Sequence, residues 1–416
     1  MSRRTGTKEE VADRPSVLVF TTVFPNQVQP RLGVFVRERM FRVARKLPLV
    51  VVAPVAWFPF QGLIRLWRPG FRPLPPSREI DDGIEILHPR FLSVPGLFKW
   101  LDGFSMAVCS LPTLLRLRRE YPLSVIDSHF AYPDGYAANF LGGWLGLPVT
   151  ITLRGTESSL SRFPLRRRLI LAAVRRADRV FSVADSLASH LRDLGATKDI
   201  LRIGNGVDSG RFFPEDRKTA RQRFAIAPDA KVLVSVGGLC ERKGFHRVIG
   251  VLPRLLKRFP GLVLLIVGGA SPEGDWSQRL ESQIRELGLE DSVRFLGTMD
   301  PNDLRWPLSA ADVFVLATRN EGWANVFLEA MACGLPVVTT DVGGNAEVIA
   351  DRNLGTLVPF GDSNALANAL ADALLKDWNR EEIRDWAAAN SWDQRIRILV
   401  REFSAVSAGR HSSGGG

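Results

Sequence analysis

Short β-branched runs alternate with helix-length stretches from one end of the 416-residue chain to the other, and that rhythm constrains the fold more than any other feature. A strand that passes through a helix before the next strand pairs in parallel, which is the βαβ unit of open α/β sheets. In the first half the runs fall at residues 17–22, 49–53, 84–87, 125–128, 149–153, 180–183 and 200–203. In the second they fall at 232–236, 263–267, 293–296, 313–316, 337–340 and 356–358. Such a length exceeds one ordinary hydrophobic core, so two α/β domains of about 200 residues each are expected, joined near residues 204–214.

Open α/β sheets bind ligands beyond the carboxyl ends of their strands, so the residues there carry the functional signal. Glycines mark those ends at Gly33, Gly155, Gly237 and Gly238, Gly268 and Gly269, Gly297, and Gly343 and Gly344. A glycine there is ordinarily a turn; its neighbours decide whether it is more. The segment Glu321-Gly-Trp-Ala-Asn325-Val326-Phe-Leu-Glu329 leads into a short helix, expected over residues 326–333 with Asn325 as N-cap, Gly334 beyond its end and Pro336 as a stop. One carboxylate then lies in the loop ahead of the helix and the other near its first turn, where unpaired N–H groups attract phosphate.

Arg242 and Lys243 follow Gly237-Gly238 and precede Gly244. The order of residues is not that of a Walker loop, yet two adjacent cations on a glycine-rich loop suit a departing diphosphate. His129 stands at the exit of the run at 125–128, and of the five histidines it alone is read as having that placement. The stretch Leu153-Arg154-Gly155-Thr156-Glu157 adds an arginine and a carboxylate to the same rim. Asn205-Gly206-Val207-Asp208 reads as a turn at the join, an architectural element or a hinge.

Composition narrows the class. Hydrophobic residues at 45% and charged residues at 24% are those of an ordinary globular protein. Cys109, Cys240 and Cys333 are scattered, with neither disulfide nor zinc spacing, which fits a reducing compartment. The charged amino terminus is not that of a signal peptide, and the apolar stretch 135–153 is cut by glycines and Pro148 into a helix and a strand. The first 205 residues hold 30 basic and 17 acidic side chains (+13), the remainder 25 and 27 (−2). Clusters at Arg162 to Arg168, Arg175-Arg176 and around Leu63 to Phe71 interleave arginine with Trp and Phe, a composition suited to an anionic membrane surface. No nucleic-acid reader motif accompanies the charge, so nucleic acid is not expected as a partner.

Taken together, Asn205-Gly-Val-Asp208, Gly237 to Lys243-Gly244, Glu321-x7-Glu329, Ala330-Met-Ala-Cys-Gly334-x-Pro336 and Gly343-Gly-x-x-Glu347 resemble the retaining nucleotide-sugar glycosyltransferases of family 4. Phe24-Pro25-Asn26, Arg31-x-Gly33 and Leu153-Arg-Gly-Thr156 are similar to a bacterial branch that includes teichuronic-acid-type polysaccharide glycosyltransferases. The resemblance implies the GT-B fold: an acceptor-side domain of residues 1–204 completed by a returning helix within 390–416, and a nucleotide-sugar domain of residues 205–389. It implies that Glu329 holds ribose hydroxyls, Glu321 faces the donor sugar, Lys243 binds the diphosphate and His129 meets the sugar from the other domain. Gly33, Gly237, Gly238, Asn325 and Val326 are implied to lie against the donor. Where many members carry Arg after the first glycine this chain has Gly238, with Arg242 offered as the compensating charge.

No cofactor beyond the donor is expected, and no metal, because the motifs carry no Asp-x-Asp pair or His/Cys cluster. The expected acceptor is a lipid-linked or polysaccharide hydroxyl, handled in the cytoplasm at the inner face of the membrane. Competing readings are a sugar-nucleotide epimerase or phosphorylase on the same fold, and a non-catalytic membrane-surface scaffold.

Overall fold

Fully buried apolar strands are the frame on which each half of the chain is built; β1 (Ser16–Phe20) presents no exposed residue on either face. In the computed structural model residues 14–68, 70–271 and 273–411 are described. The amino-terminal stretch read as lacking a leader, and the tail at 412–416, lie outside them. The chain divides into two compact units, one of residues up to Gly204 together with those from Arg395 on, the other Asn205–Gln394.

In the first unit β1 is followed by β2 (Leu49–Val52), β3 (Val55–Trp57), β4 (Arg78–Asp81), β5 (Ile84–Leu87), β6 (Arg90–Leu92), β7 (Leu123–His129), β8 (Val149–Leu153), β9 (Arg179–Ser182) and β10 (Ile200–Arg202). Eight of these form one sheet in the order β10-β9-β8-β7-β1-β2-β5-β4, with β3 and β6 as a separate parallel pair. Every pairing in the large sheet is parallel except β4 with β5. Parallel strands buried on both faces read as continuous Val/Ile/Leu runs, which is why those strands announced themselves in the sequence.

Strands β3, β4 and β6 did not. They are three or four residues long, and β4 alternates exposed and buried residues at the sheet edge. The signal that marks the β4–β5 hairpin is Asp82-Gly83, both with positive φ (49° and 78°), the two-residue turn whose twist matches antiparallel strands.

The second unit contains β11 (Val232–Val236), β12 (Val263–Val267), β13 (Val293–Gly297), β14 (Val313–Leu316), β15 (Val337–Thr340) and β16 (Gly355–Val358), all parallel in the order β13-β12-β11-β14-β15-β16. In both sheets the strand order reverses once, between β1 and β7 in the first unit and between β11 and β14 in the second. Crossovers leave those two points on opposite faces and open a crevice at the carboxyl ends. The residues that follow β7 and β1, and β11 and β14, are therefore the ones the topology presents to a ligand.

The terminal helix Trp392–His411 carries the chain from the second unit into the first. Phe403 is fully buried there with its ring centroid 6.2 Å from that of Phe181, and Glu402 pairs with Arg179 at 2.9 Å. At the join, Val207 bridges Ser391 and Gly206 lies against the Trp392 backbone, where a Cβ would come within 2.4 Å. The apolar stretch at 135–153 is a helix (Tyr136–Leu145) and β8, and among the described residues no helix is long and apolar enough to cross a membrane.

Candidate active site

Lys243 and Glu321, separated by 78 residues, meet beyond the ends of β11 and β14. Lys243 ends the 3-10 turn Glu241–Lys243 after β11, and its Nζ donates to Glu321 Oε1 at 2.6 Å. Arg242 Nη1 donates to the same oxygen at 3.0 Å and to Asn320 O at 2.8 Å, and the Thr318 hydroxyl lies 3.2 Å from it. Glu321 Oε2 accepts no hydrogen bond from the described residues. One carboxylate oxygen is thus fixed by three donors while the other is uncommitted. The side chains of Lys243 and Glu321 are 16% and 8% exposed, so the pair is shielded yet reachable.

Arg242 does not stand as a spare cation. Glu273 holds it through two bonds of 2.6 and 2.7 Å, raising the guanidinium above its ordinary range and holding the Glu273 carboxyl below its own. Its charge is matched locally by Glu273, and the same guanidinium holds Glu321. Glu273 and Thr318 were not singled out in the sequence. Glu273 follows Pro272 in a polar loop with no motif, and only the folded chain brings it to Arg242.

Backbone packing holds the Glu321 loop. Gly343, at φ 54°, lies so close that a Cβ would come within 1.9 Å of Glu321 O, and Gly344 N–H donates to that oxygen at 3.1 Å. Gly237 and Gly238 directly follow β11: Gly237 lies beside the Lys243 stem, and Gly238 against Ser271.

The helix after the loop is Asn325–Ala332, one residue earlier than expected, and Ala324 occupies the N-cap position. Asn325 is not the cap. Its Oδ1 accepts from Asn205 Nδ2 at 2.8 Å, an arrangement that ties the helix start to the join. Val326 and Glu329 are both half-buried on this helix. Glu329 is its fifth residue, past the first turn.

The corresponding edge of the first unit is buried. His129 closes β7 with no exposed surface. Arg154, just past β8, donates to His129 Nδ1 at 3.1 Å, so the ring proton sits on Nε2, 3.4 Å from Asp127 Oδ2. Burial, reinforced by Arg154 and Arg39, holds the imidazole well below its ordinary range, and burial pushes Asp127 up to about 6 despite the Thr150 hydroxyl at 2.7 Å. Glu157 accepts the N–H groups of Ala131 and Gly155, each at 2.9 Å, and Asp134 accepts from Thr22. Burial lifts Asp134 to about 7. Gly33, at φ 68°, has an internal reason for its identity, because a Cβ would strike Val23 O at 2.2 Å.

His129 is not the lone histidine at a strand exit. His88 directly follows β5, buried, with Nδ1 3.0 Å from Ala53 O. The apolar run ending at Leu87, with Pro89 beyond, was the available signal. Among the described residues no group of three or more His, Cys, Asp or Glu side chains is placed to hold a metal ion.

Known proteins resemble this chain in sequence and in fold. A family profile described as "Glycosyl transferases group 1" matches residues 216–390, and one described as "Glycosyltransferase Family 4" matches residues 64–211. The D-inositol 3-phosphate glycosyltransferase of Actinosynnema mirum is 31% identical over 79% of this chain and 84% of its own length. The putative teichuronic acid biosynthesis glycosyltransferase TuaC of Bacillus subtilis is 28% identical over 88% of this chain and 90% of its own. Among solved structures, sucrose-phosphate synthase from Thermosynechococcus elongatus superposes with a TM-score of 0.73 at 20% identity, covering 95% of this chain and all of that one. Anabaena HepE in complex with UDP gives 0.71 at 20% identity, over 94% of this chain and all of its own. The fold shared with these structures is GT-B.

Proposed function

Because the chain belongs to glycosyltransferase family 4, we propose that this enzyme moves a sugar, with retention of configuration, from a nucleotide-diphosphate donor to a hydroxyl of a lipid-linked or polysaccharide acceptor in cell-surface polysaccharide biosynthesis. The observation that carries this reading is the Lys243–Glu321 pair at the switch point of the second sheet, with one Glu321 oxygen held and the other free. Solved neighbours that carry UDP and UDP-glucose support the class of donor, and the similarity to TuaC supports the class of product.

Lys243 and the amino end of the helix Asn325–Ala332 answer the charge that grows on the departing diphosphate. Lys243 has three N–H bonds; one is taken by Glu321, which aims the ammonium and leaves two for phosphate oxygens. Glu321 Oε2 faces the donor sugar, and Glu329 holds the ribose. Gly237, Gly238 and Val326 line the donor, and Gly33 is assigned to donor binding as well. Transfer proceeds by same-face attack assisted by the leaving phosphate. His129, buried as it is, acts through Arg154, whose guanidinium it orients toward the rim.

No metal is needed, since diphosphate charge is met by Lys243 and helix N–H groups. Loss of turnover on adding a chelator would overturn that statement. The basic, aromatic-laced first unit works at the inner, anionic face of the cytoplasmic membrane. The test of the whole reading is transfer and donor hydrolysis with a panel of UDP-, GDP- and ADP-sugars, for wild type, Lys243→Ala and Glu321→Ala. A stabilising, turned-over donor whose use collapses in both variants supports the assignment; equal rates in all three sink it.

A further inference from the structure

At the carboxyl ends of β1, β2 and β5 the first unit opens into a pocket of about 400 Å³, within the range of small-molecule sites. It is lined by the polar residues Thr22, Asn26 and His88, by two cations, Arg72 and Lys99, and by the carboxylate of Asp102. Lys99 is committed to the Ser93 hydroxyl at 2.7 Å and to Asp102 at 3.0 Å. Arg72 is different. Its one hydrogen bond among the described residues goes to the Ser93 carbonyl oxygen, its guanidinium lies near the rings of Phe58 and Phe71, and it makes no ion pair there. A half-buried guanidinium held by a carbonyl oxygen and two rings, with no carboxylate paired to it, keeps its charge available to an incoming anion. Burial draws its pKa down, against the pull of Asp102. Arg65 holds the loop that carries it, donating to the Phe71 and Arg72 carbonyl oxygens, and Arg72 itself sits at φ 41°.

The segments on either side of this wall, the end of the helix Gln61–Trp67 and the loop before Asp102, carry exposed apolar side chains. Leu66 and Trp67, 78% and 89% exposed, lie a few residues before Arg72; Leu97, Phe98 and Trp100, 58%, 63% and 47% exposed, flank Lys99. A polar lining with cations in it and an apolar lip beside it suit a lipid headgroup met at an anionic surface.

We propose that this pocket binds the phosphorylated headgroup of an acceptor that stays in the membrane, with Arg72 on the phosphate and the Leu66–Trp67 and Leu97–Trp100 lips resting among the lipids. The inference rests on the glycosyltransferase reading and adds the chemical class of the acceptor and the residues that choose it. It commits to a lipid source because a soluble phosphate ester has no use for the lip.

The test is binding of the full chain to vesicles of phosphatidylcholine with and without phosphatidic acid, for wild type, Arg72→Gln, Trp67→Ser and, as a charge-matched control on the other unit, Lys257→Gln. Arg72→Gln and Trp67→Ser are each expected to weaken binding to the phosphatidic acid vesicles on the order of tenfold, with Lys257→Gln close to wild type. Trp67 is almost wholly exposed, so its variant keeps the wild-type melting temperature and reports on the lip alone. Wild-type affinity in Arg72→Gln, or an equal loss in Lys257→Gln, overturns the site. Thermal stabilisation by sn-glycerol 3-phosphate as strong as that by phosphatidic acid vesicles of matched phosphate content moves the source to a soluble ester and overturns the lipid assignment. Failure of sugar transfer in wild type would strike the enzymatic reading and leave these vesicle outcomes readable by themselves.

Discussion

The two sheets reverse their strand order in the same way, yet the charged residues at the two switch points live in opposite environments. In the first unit Asp127, His129, Asp134 and Glu157 are at most 1% exposed, and two of the carboxyls are driven upward by burial. In the second, Lys243, Arg242, Glu321 and Glu273 are paired with one another and within reach of solvent. In one constellation the charges are buried and bound by backbone N–H groups and neighbours; in the other they are paired with one another. The difference teaches that position at the edge of a sheet nominates a residue, and its exposure decides whether the residue handles substrate or holds the residue that does.

Several substitutions break or sharpen that contrast. Glu321→Ala removes the free carboxylate oxygen and the anchor of Lys243 together, so kcat/KM for transfer is expected to fall by roughly a thousandfold with the melting temperature little changed. Lys243→Ala should cost about a hundredfold, mostly in kcat, since the interaction strengthens as the diphosphate departs. In the buried constellation the loss should appear as stability. His129→Ala leaves Arg154 and Asp127 without their shared neighbour, and denaturant unfolding should show a loss of about 2–3 kcal/mol. A variant there that lost activity at full stability would instead place His129 against the substrate.

The pH response separates the two regions again. Asp134 titrates at about 7 in the folded chain against an ordinary 3.8. Between those values the folded state holds a proton that the unfolded state has released, so its contribution to stability falls as pH rises through the window and is at its minimum above it. The stability of wild type relative to Asp134→Asn should therefore decline from pH 4 to 7, as read by urea unfolding at fixed salt. A flat difference would mean that Asp134 stays ionised. The smallest effect is expected at the join: Asn205→Ala deletes the bond to Asn325 and should cost about 1 kcal/mol.

Much of this was legible in the residues themselves. The buried parallel strands appear as Val/Ile/Leu runs, the Lys243 and His129 motifs fall at strand exits as read, and Glu321 lies in the loop ahead of its helix. What escaped has a common physical character. β4 is an edge strand with half its residues in water, so it lacks the apolar run that marks the others. Asn325 looked like an N-cap because its type and position suit one, but the side chain found Asn205, a partner that exists only once the join has folded. Glu273 is invisible for the same reason, since a lone glutamate in a polar loop acquires meaning only from the arginine brought to it 31 residues away in sequence. Arg72 was one basic residue among many until its lack of a counter-ion set it apart.

The terminal helix has a consequence for how the protein is made. Ile396, Leu399 and Phe403, all buried, complete the core of the first unit from the far end of the chain. A ribosome must therefore produce the whole of residues 205–394 before that unit can close, an interval of roughly 10 to 40 s at bacterial to eukaryotic elongation rates. During it the newborn first unit exposes the groove that Phe403 will fill, while the second unit, contiguous in sequence, can fold as soon as it emerges. The unit that is synthesised first is thus the last to be completed.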